Sequence, residues 1–241
     1  MNRGDAMVCE NRRDAMLPRW RGAAALLSAC LFVQGCASID RFFEESPGSV
    51  ELIGLGARPV FLGRALVAGA YVRKESEDSY WFSDVPFESL LAHERGEPLQ
   101  DALFVHAQLL WTPKPGLTPL DSTATNLALR VVVVSRGEIG IYGGAGFARP
   151  DGDPTVGPMS LEIEGATLTL LDKTPGFHDL LSPVGLDATL HAPLAPEEAN
   201  RWRRGVSQFA TNALGKSMWV DGTPLPGLET ASRADAARPT T

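Results

Sequence analysis

Residues Ala102–Trp111, ALFVHAQLLW, alternate: Leu103, Val105, Ala107, Leu109 and Trp111 fall on one side, His106 and Gln108 on the other. An extended chain points successive side chains to opposite faces, so this stretch predicts a half-buried β-strand. The next apolar segment, NLALRVVVVS (Asn126–Ser135), is β-branched and suits a pleated surface. Arg136-Gly137-Glu138 then turns the chain into IGIYGG, which predicts a hairpin. Two further runs, SVELIGLG and PVFLGRALVAGAYVR, read as strands bent at glycines, and YWFSDV as another.

The same reasoning extends to the C-terminal half. MSLEIEG and ATLTLLD are expected to pair as a hairpin around Gly165, with Met159, Leu161 and Ile163 inward. GLDATLHAPL supplies a strand with Leu186, Ala188 and Leu190 on its apolar face. A short helix is expected near SDVPFESLLAHERG, capped by Ser83 or Asp84 and ended by Gly96. The final helix opens on Pro196, Glu197 and Glu198, carries a stripe of Ala199, Trp202, Val206, Phe209 and Ala213, and stops at Gly215. The fold class expected is therefore mainly β: a single antiparallel β-sandwich or open barrel with one C-terminal amphipathic helix packed on it. The domain is expected over residues 48–220, with a disordered tail over 221–241.

Cysteine occurs only at positions 9, 30 and 36, so no disulfide staples the body and no thiolate cluster there holds a metal. The first 35 residues hold five arginines and three acids. Of the chain's 22 basic and 29 acidic side chains, 17 and 26 remain beyond them, so the rest carries about −9. An acidic body excludes general nucleic-acid binding, which requires a cationic surface.

Gly22–Val33 is an uncharged, largely apolar run that follows Arg19 and Arg21. It is too short to span a hydrocarbon core, which takes roughly 20 residues, and it fits the apolar segment of an export signal. A start at Met16 would give a compact signal. The run ends in VQGC, which resembles the lipobox of bacterial lipoproteins; LSAC, ending at Cys30, resembles it too. Apolar length favours Cys36 as the lipidated residue, with Cys30 the alternative. The resemblance implies a signal peptide over residues 1–35, a diacylglyceryl group on the Cys36 thiol, further acylation such as palmitate on its amino group, and a lipidated tether over 36–47. It also implies anchorage in the cell envelope. Ala37 after the cysteine is unlike the inner-membrane retention signal, so the outer membrane, on its periplasmic side, is expected.

Motifs that carry catalysis are sparse. There is no G-x-S-x-G elbow and no H-E-x-x-H. YGGAGFARP lacks the third glycine of a dinucleotide fingerprint, and PDGDP offers too few oxygens for calcium. His106, His178 and His191, together with Asp179, are the residues a cryptic hydrolase would use. No cofactor or metal is expected. The loop Thr112–Thr125 is longer than most within a compact domain. It brings Trp111, Lys114, Asp121, Ser122, Thr123 and Asn126 into one stretch, a flat ring beside hydrogen-bonding groups that suits a glycan or an envelope protein. Arg201, Arg203 and Arg204 on the final helix offer a cationic face. The reading expected from these features is a membrane-anchored, non-enzymatic structural or interaction module. The alternative is a carrier of a lipid or other apolar ligand held between sheet and final helix, with a hydrolase third.

Overall fold

A computed structural model describes residues 46–74, 77–114, 124–155 and 157–217. The elements are β1 (Gly48–Gly54), β2 (Phe61–Ala65), β3 (Ala68–Arg73), β4 (Asp78–Ser83), α1 (Phe87–Glu94), β5 (Asp101–Leu109), β6 (Leu127–Ser135), β7 (Glu138–Gly146), β8 (Ala148–Asp151), β9 (Met159–Lys173), β10 (Val184–Ala192) and α2 (Pro196–Leu214). All strand pairs are antiparallel, in the order β2-β1-β10-β9-β7-β6-β5-β4-β3, with β8 on β9. The sheet curls into a half-barrel and α2 packs on it, as the sequence pattern requires.

Alternation along the strands sorts the apolar residues into two cores. Leu103, Val105, Ala107 and Leu109 of β5 and Leu129, Val131 and Val133 of β6 point into the curl. Ala102, Phe104, Val132 and Val134 point outward, where α1 and α2 cover them with Phe87, Leu90, Trp202, Val206 and Phe209. The run of four valines in β6 is therefore buried on both faces, which explains why it breaks the alternation seen further along β5. The Arg136-Gly137 turn has φ 54° and 80°, both left-handed, and joins Ser135 directly to Glu138 as a two-residue hairpin.

Only Leu66 and Val67 separate β2 from β3, yet β2 pairs with β1 and β3 with β4, at opposite ends of the strand path. One bent strand thus draws the two ends of the sheet together. Leu66 N–H donates to Gly48 O (2.9 Å) and Val67 N–H to Ser83 O (2.8 Å) at the corner. Beyond it, Tyr71 N–H donates to Pro193 O and Ala195 N–H to Tyr71 O, both at 3.0 Å, tying β3 to the segment that leads into α2.

Three local expectations are corrected. Residues 159–173 form one strand, not a hairpin around Gly165. Gly165 has φ 64° and sits in a bulge: β9 takes three steps from Ile163 to Ala166 where β10 takes two, from Ala188 to Leu186. The spare amide of Gly165 donates to Asp187 Oδ1 at 2.6 Å. Neither Ser83 nor Asp84 caps α1, whose N-terminus is Pro86; Ser83 Oγ accepts from Val85 N–H and Asp84 Oδ1 from Leu103 N–H. In α2 the last buried position is Ala210, with Ala213 exposed, while Gly215 ends the helix at φ 67° as expected.

Candidate functional site

The sequence-derived candidates disperse. Cys30, Cys36, Asp121, Ser122 and Thr123 lie outside the described residues, as does the 221–241 stretch. Trp111, just past β5, keeps 39% of its surface exposed beside exposed Leu110. Its indole N–H donates to Thr125 O at 3.1 Å, and its ring meets that of Phe147 edge-on at 6.2 Å. Lys114 is exposed. Asn126 does not belong with them. It is fully buried, its Nδ2 donates to Ala148 O (2.9 Å) and Trp111 O (3.3 Å), and its Oδ1 accepts from Ala148 N–H (2.7 Å). The side chain joins backbones and has nothing left for a ligand.

The histidines do not converge. His106 on β5 and His191 on β10 lie on strands that do not pair with each other, and each bonds to a different serine. His106 Nε2 lies 2.9 Å from Ser79 Oγ, with its ring stacked on Trp81. His191 Nδ1 lies 2.7 Å from Ser160 Oγ. His178 is alone in a loop. No group of three or more metal-ligating side chains occurs among the described residues.

The interface expected to seat an apolar ligand, between sheet and final helix, is filled. Trp202 of α2 meets Phe87 edge-on at 4.9 Å and Phe104 at 6.3 Å, and Phe209 meets Phe104 at 5.9 Å. A surface cleft lies between α1 and α2, edged by Glu94, Arg201 and Arg204.

An apolar cleft of about 650 Å³ opens elsewhere, between β2, the β6–β7 hairpin and the segment Gly176–Leu181. Its walls are Val60, Leu62, Val133, Tyr142, Phe177 and Leu181. Phe61 and Leu180, 71% and 69% exposed, stand at its rim, where Ser135, Arg136, Glu138 and His178 supply the polar groups. The half-barrel creates this opening because, among the described residues, β2 pairs only with β1. Gly54 N–H donates to Val60 O and Leu66 N–H to Gly48 O, so Val60, Leu62, Arg64 and Leu66 direct their backbone to β1. The amides and carbonyls of Phe61, Gly63 and Ala65 therefore face away from the sheet.

The far wall is held by a set of turns on β7. Thr174 N–H donates to Ile139 O (2.9 Å) and Thr174 Oγ1 accepts from Ile139 N–H (3.0 Å). Phe177 lies over Gly140 so closely that a Cβ there would come within 2.3 Å of its ring; only glycine leaves the room. Asp179 Oδ1 then accepts three bonds, from Tyr142 Oη (2.8 Å), Leu181 N–H (3.0 Å) and Ser182 N–H (3.0 Å). Burial pushes the Asp179 carboxyl up, but these donors and the nearby Lys173 ammonium outweigh it and hold the group below the usual carboxylate range. Burial and the Asp179 charge push the Tyr142 phenol up. The pair is thus a carboxylate held by a neutral phenol, a brace for the loop that carries Phe177 and Leu180.

Sequence reasoning singled out His178 and Asp179 in this region, and neither as part of an apolar site. Phe61 and Leu180 were the available signals, since each is a large apolar residue within a few positions of a proline and a glycine. No protein-family model, no curated protein and no solved structure matches the chain.

Proposed function

We propose that the protein is a lipid-anchored module of the cell envelope that holds an apolar ligand in the cleft beside β2. The observation that carries the reading is the cleft itself: buried and half-buried apolar walls open to solvent between two large exposed apolar residues, Phe61 and Leu180. Ligand sites are concave and mostly apolar, with a few polar groups that set orientation, and volumes of roughly 300–1,000 Å³ are typical. The anchor reading rests on the Arg-flanked apolar run and VQGC. Anchorage at Cys36 would place such a cleft within reach of membrane-derived amphiphiles.

The test uses the full chain with Cys30→Ser and Cys36→Ser, which removes both candidate acylation sites. Titration with Nile red, a neutral apolar dye, is expected to give saturable binding. Phe61→Asp with Leu180→Asp should abolish it, while Val67→Asp, at an exposed apolar site on the β2–β3 corner, should not. Loss in none of these variants would move the site elsewhere, and absence of saturable binding would remove the reading. For the anchor, labelling cells with radioactive palmitate should mark the wild-type chain and Cys30→Ser but not Cys36→Ser.

A second reading, contact with an envelope protein or glycan through Trp111, is favoured by the exposed Trp111 ring beside exposed Leu110. Trp111→Ala should then reduce pull-down of that partner without changing dye binding.

A further inference from the structure

The cleft has a polar side whose chemistry narrows the ligand, given the apolar-cleft reading on which this rests. Arg136 occupies the first position of the two-residue hairpin turn, with φ 54°. Such turns favour Asn, Asp or Gly there, because a Cβ crowds the left-handed backbone and only glycine lacks one, while Asn and Asp offset it by local hydrogen bonds. An arginine in that backbone conformation is an outlier that directs attention to its side chain.

Arg136 is among the residues that line the cleft, is exposed, and its guanidinium forms no ion pair with any described residue. Glu138, an acid, also lines the cleft and is likewise without a bonded partner among the described residues. Its carboxylate lies against Gly176, where a Cβ would come within 2.6 Å of it. His178 completes the polar rim. Asp179 keeps its negative charge, but its Oδ1 is turned to Tyr142 and two backbone amides and the residue does not line the cleft.

We propose that the ligand is an amphiphile with one apolar chain and a single anionic head, the chain lying between Phe61, Leu180, Val133 and Phe177 and the head paired with Arg136. An arginine fork offers a carboxylate or phosphate two parallel donors, a stronger contact than a neutral hydrogen bond. Glu138 opposes the head, so it limits affinity and disfavours heads with more than one negative charge.

The experiment displaces Nile red from the Cys30→Ser, Cys36→Ser chain with dodecanoate, dodecyl phosphate and dodecanol. These share a chain and differ in the head. Dodecanoate is expected to bind about tenfold tighter than dodecanol, the scale of a charge-assisted hydrogen bond. Dodecanoate and dodecyl phosphate separate the carboxylate from the phosphate source of the head, and the singly charged carboxylate should win at neutral pH. Arg136→Gln should remove that preference and leave dodecanol unchanged, whereas Glu138→Gln should tighten dodecanoate several-fold, the opposite sign. Arg136→Gly removes the charge and also suits the left-handed backbone, so it should lose the preference while the fold gains stability. Equal binding of dodecanoate and dodecanol in the unaltered chain would overturn the headgroup assignment and leave the apolar cleft standing. Failure of all three to displace the dye would overturn both.

Discussion

Tyr142 donates its phenolic hydrogen bond to Asp179 across 2.8 Å, joining the middle of β7 to the loop that forms the outer wall of the cleft. The same carboxylate oxygen gathers the amides of Leu181 and Ser182, so one half-buried acceptor fixes both the wall and the approach to β10. The cleft is therefore a preformed feature: Phe177 is pressed on Gly140 beneath, and Leu180 is carried outward by backbone that Asp179 has already tied.

Removing the acceptor should loosen that wall. Asp179→Ala leaves three donors without their partner and is expected to cost about 3 kcal/mol. Tyr142→Phe removes a single bond and should cost roughly 1 kcal/mol. Urea denaturation of the two variants gives the comparison, and equal costs would contradict the three-donor account.

Acid should reveal the same group. Asp179 has its folded-state pKa below the ordinary 3.8, so its stabilisation is fully present above that value and is lost as pH falls through the depressed one. Asp78 behaves oppositely. Burial raises its carboxyl, only partly offset by Arg73, so the folded state is relieved of a cost as pH falls from neutral through that raised value. Thermal midpoints measured against pH should show the Asp179→Asn curve losing less than wild type below 3.8, and the Asp78→Asn curve gaining less than wild type above it.

Asn126 should behave as a structural residue. Asn126→Ala orphans the amide and carbonyl of Ala148 in a buried setting, at roughly 1–3 kcal/mol for each unsatisfied group. Trp111→Ala, at a partly exposed ring, should cost far less. Denaturant midpoints of the two variants decide it, and a small effect at Asn126 would restore that residue as a ligand-facing candidate.

The seating of α2 predicts a sharp contrast between two alanines. Ala210 is fully buried and Ala213 exposed. Ala210→Asp should destabilise by ~3 kcal/mol or more through a buried, unpaired charge, while Ala213→Asp should stay within about 0.5 kcal/mol. Melting temperatures of the two variants are sufficient.

What was legible in the sequence follows from the range of the interactions involved. The alternation of β5 and the β-branched run of β6 declare strands, because each strand's own period sets which residues can be buried. Likewise Trp202, Val206 and Phe209 announce the inner face of α2. The edge of that stripe was misplaced by three residues, since it depends on where the sheet beneath the helix stops. Gly165 was read as a hairpin turn because turns and bulges both call for a left-handed glycine; only the register against β10, set by Asp187 and its neighbours, separates the two. Asn126 beside a long polar loop looked exposed, and its burial is determined by Ala148, which no local pattern reveals. The cleft was the least legible feature. Val60, Val133, Tyr142 and Phe177 come together only through the curl of the sheet, and the β2 edge, unpaired among the described residues, is a consequence of the strand order.

The most direct measurement is photo-crosslinking of the full chain with a dodecanoate bearing a terminal diazirine, followed by peptide mapping. The account predicts that adducts concentrate on the segments around Val60–Leu62 and Phe177–Leu181 and disappear when unlabelled dodecanoate is in excess. Adducts concentrated instead at Trp111 or along Arg201–Gln208, with none beside β2, would contradict it.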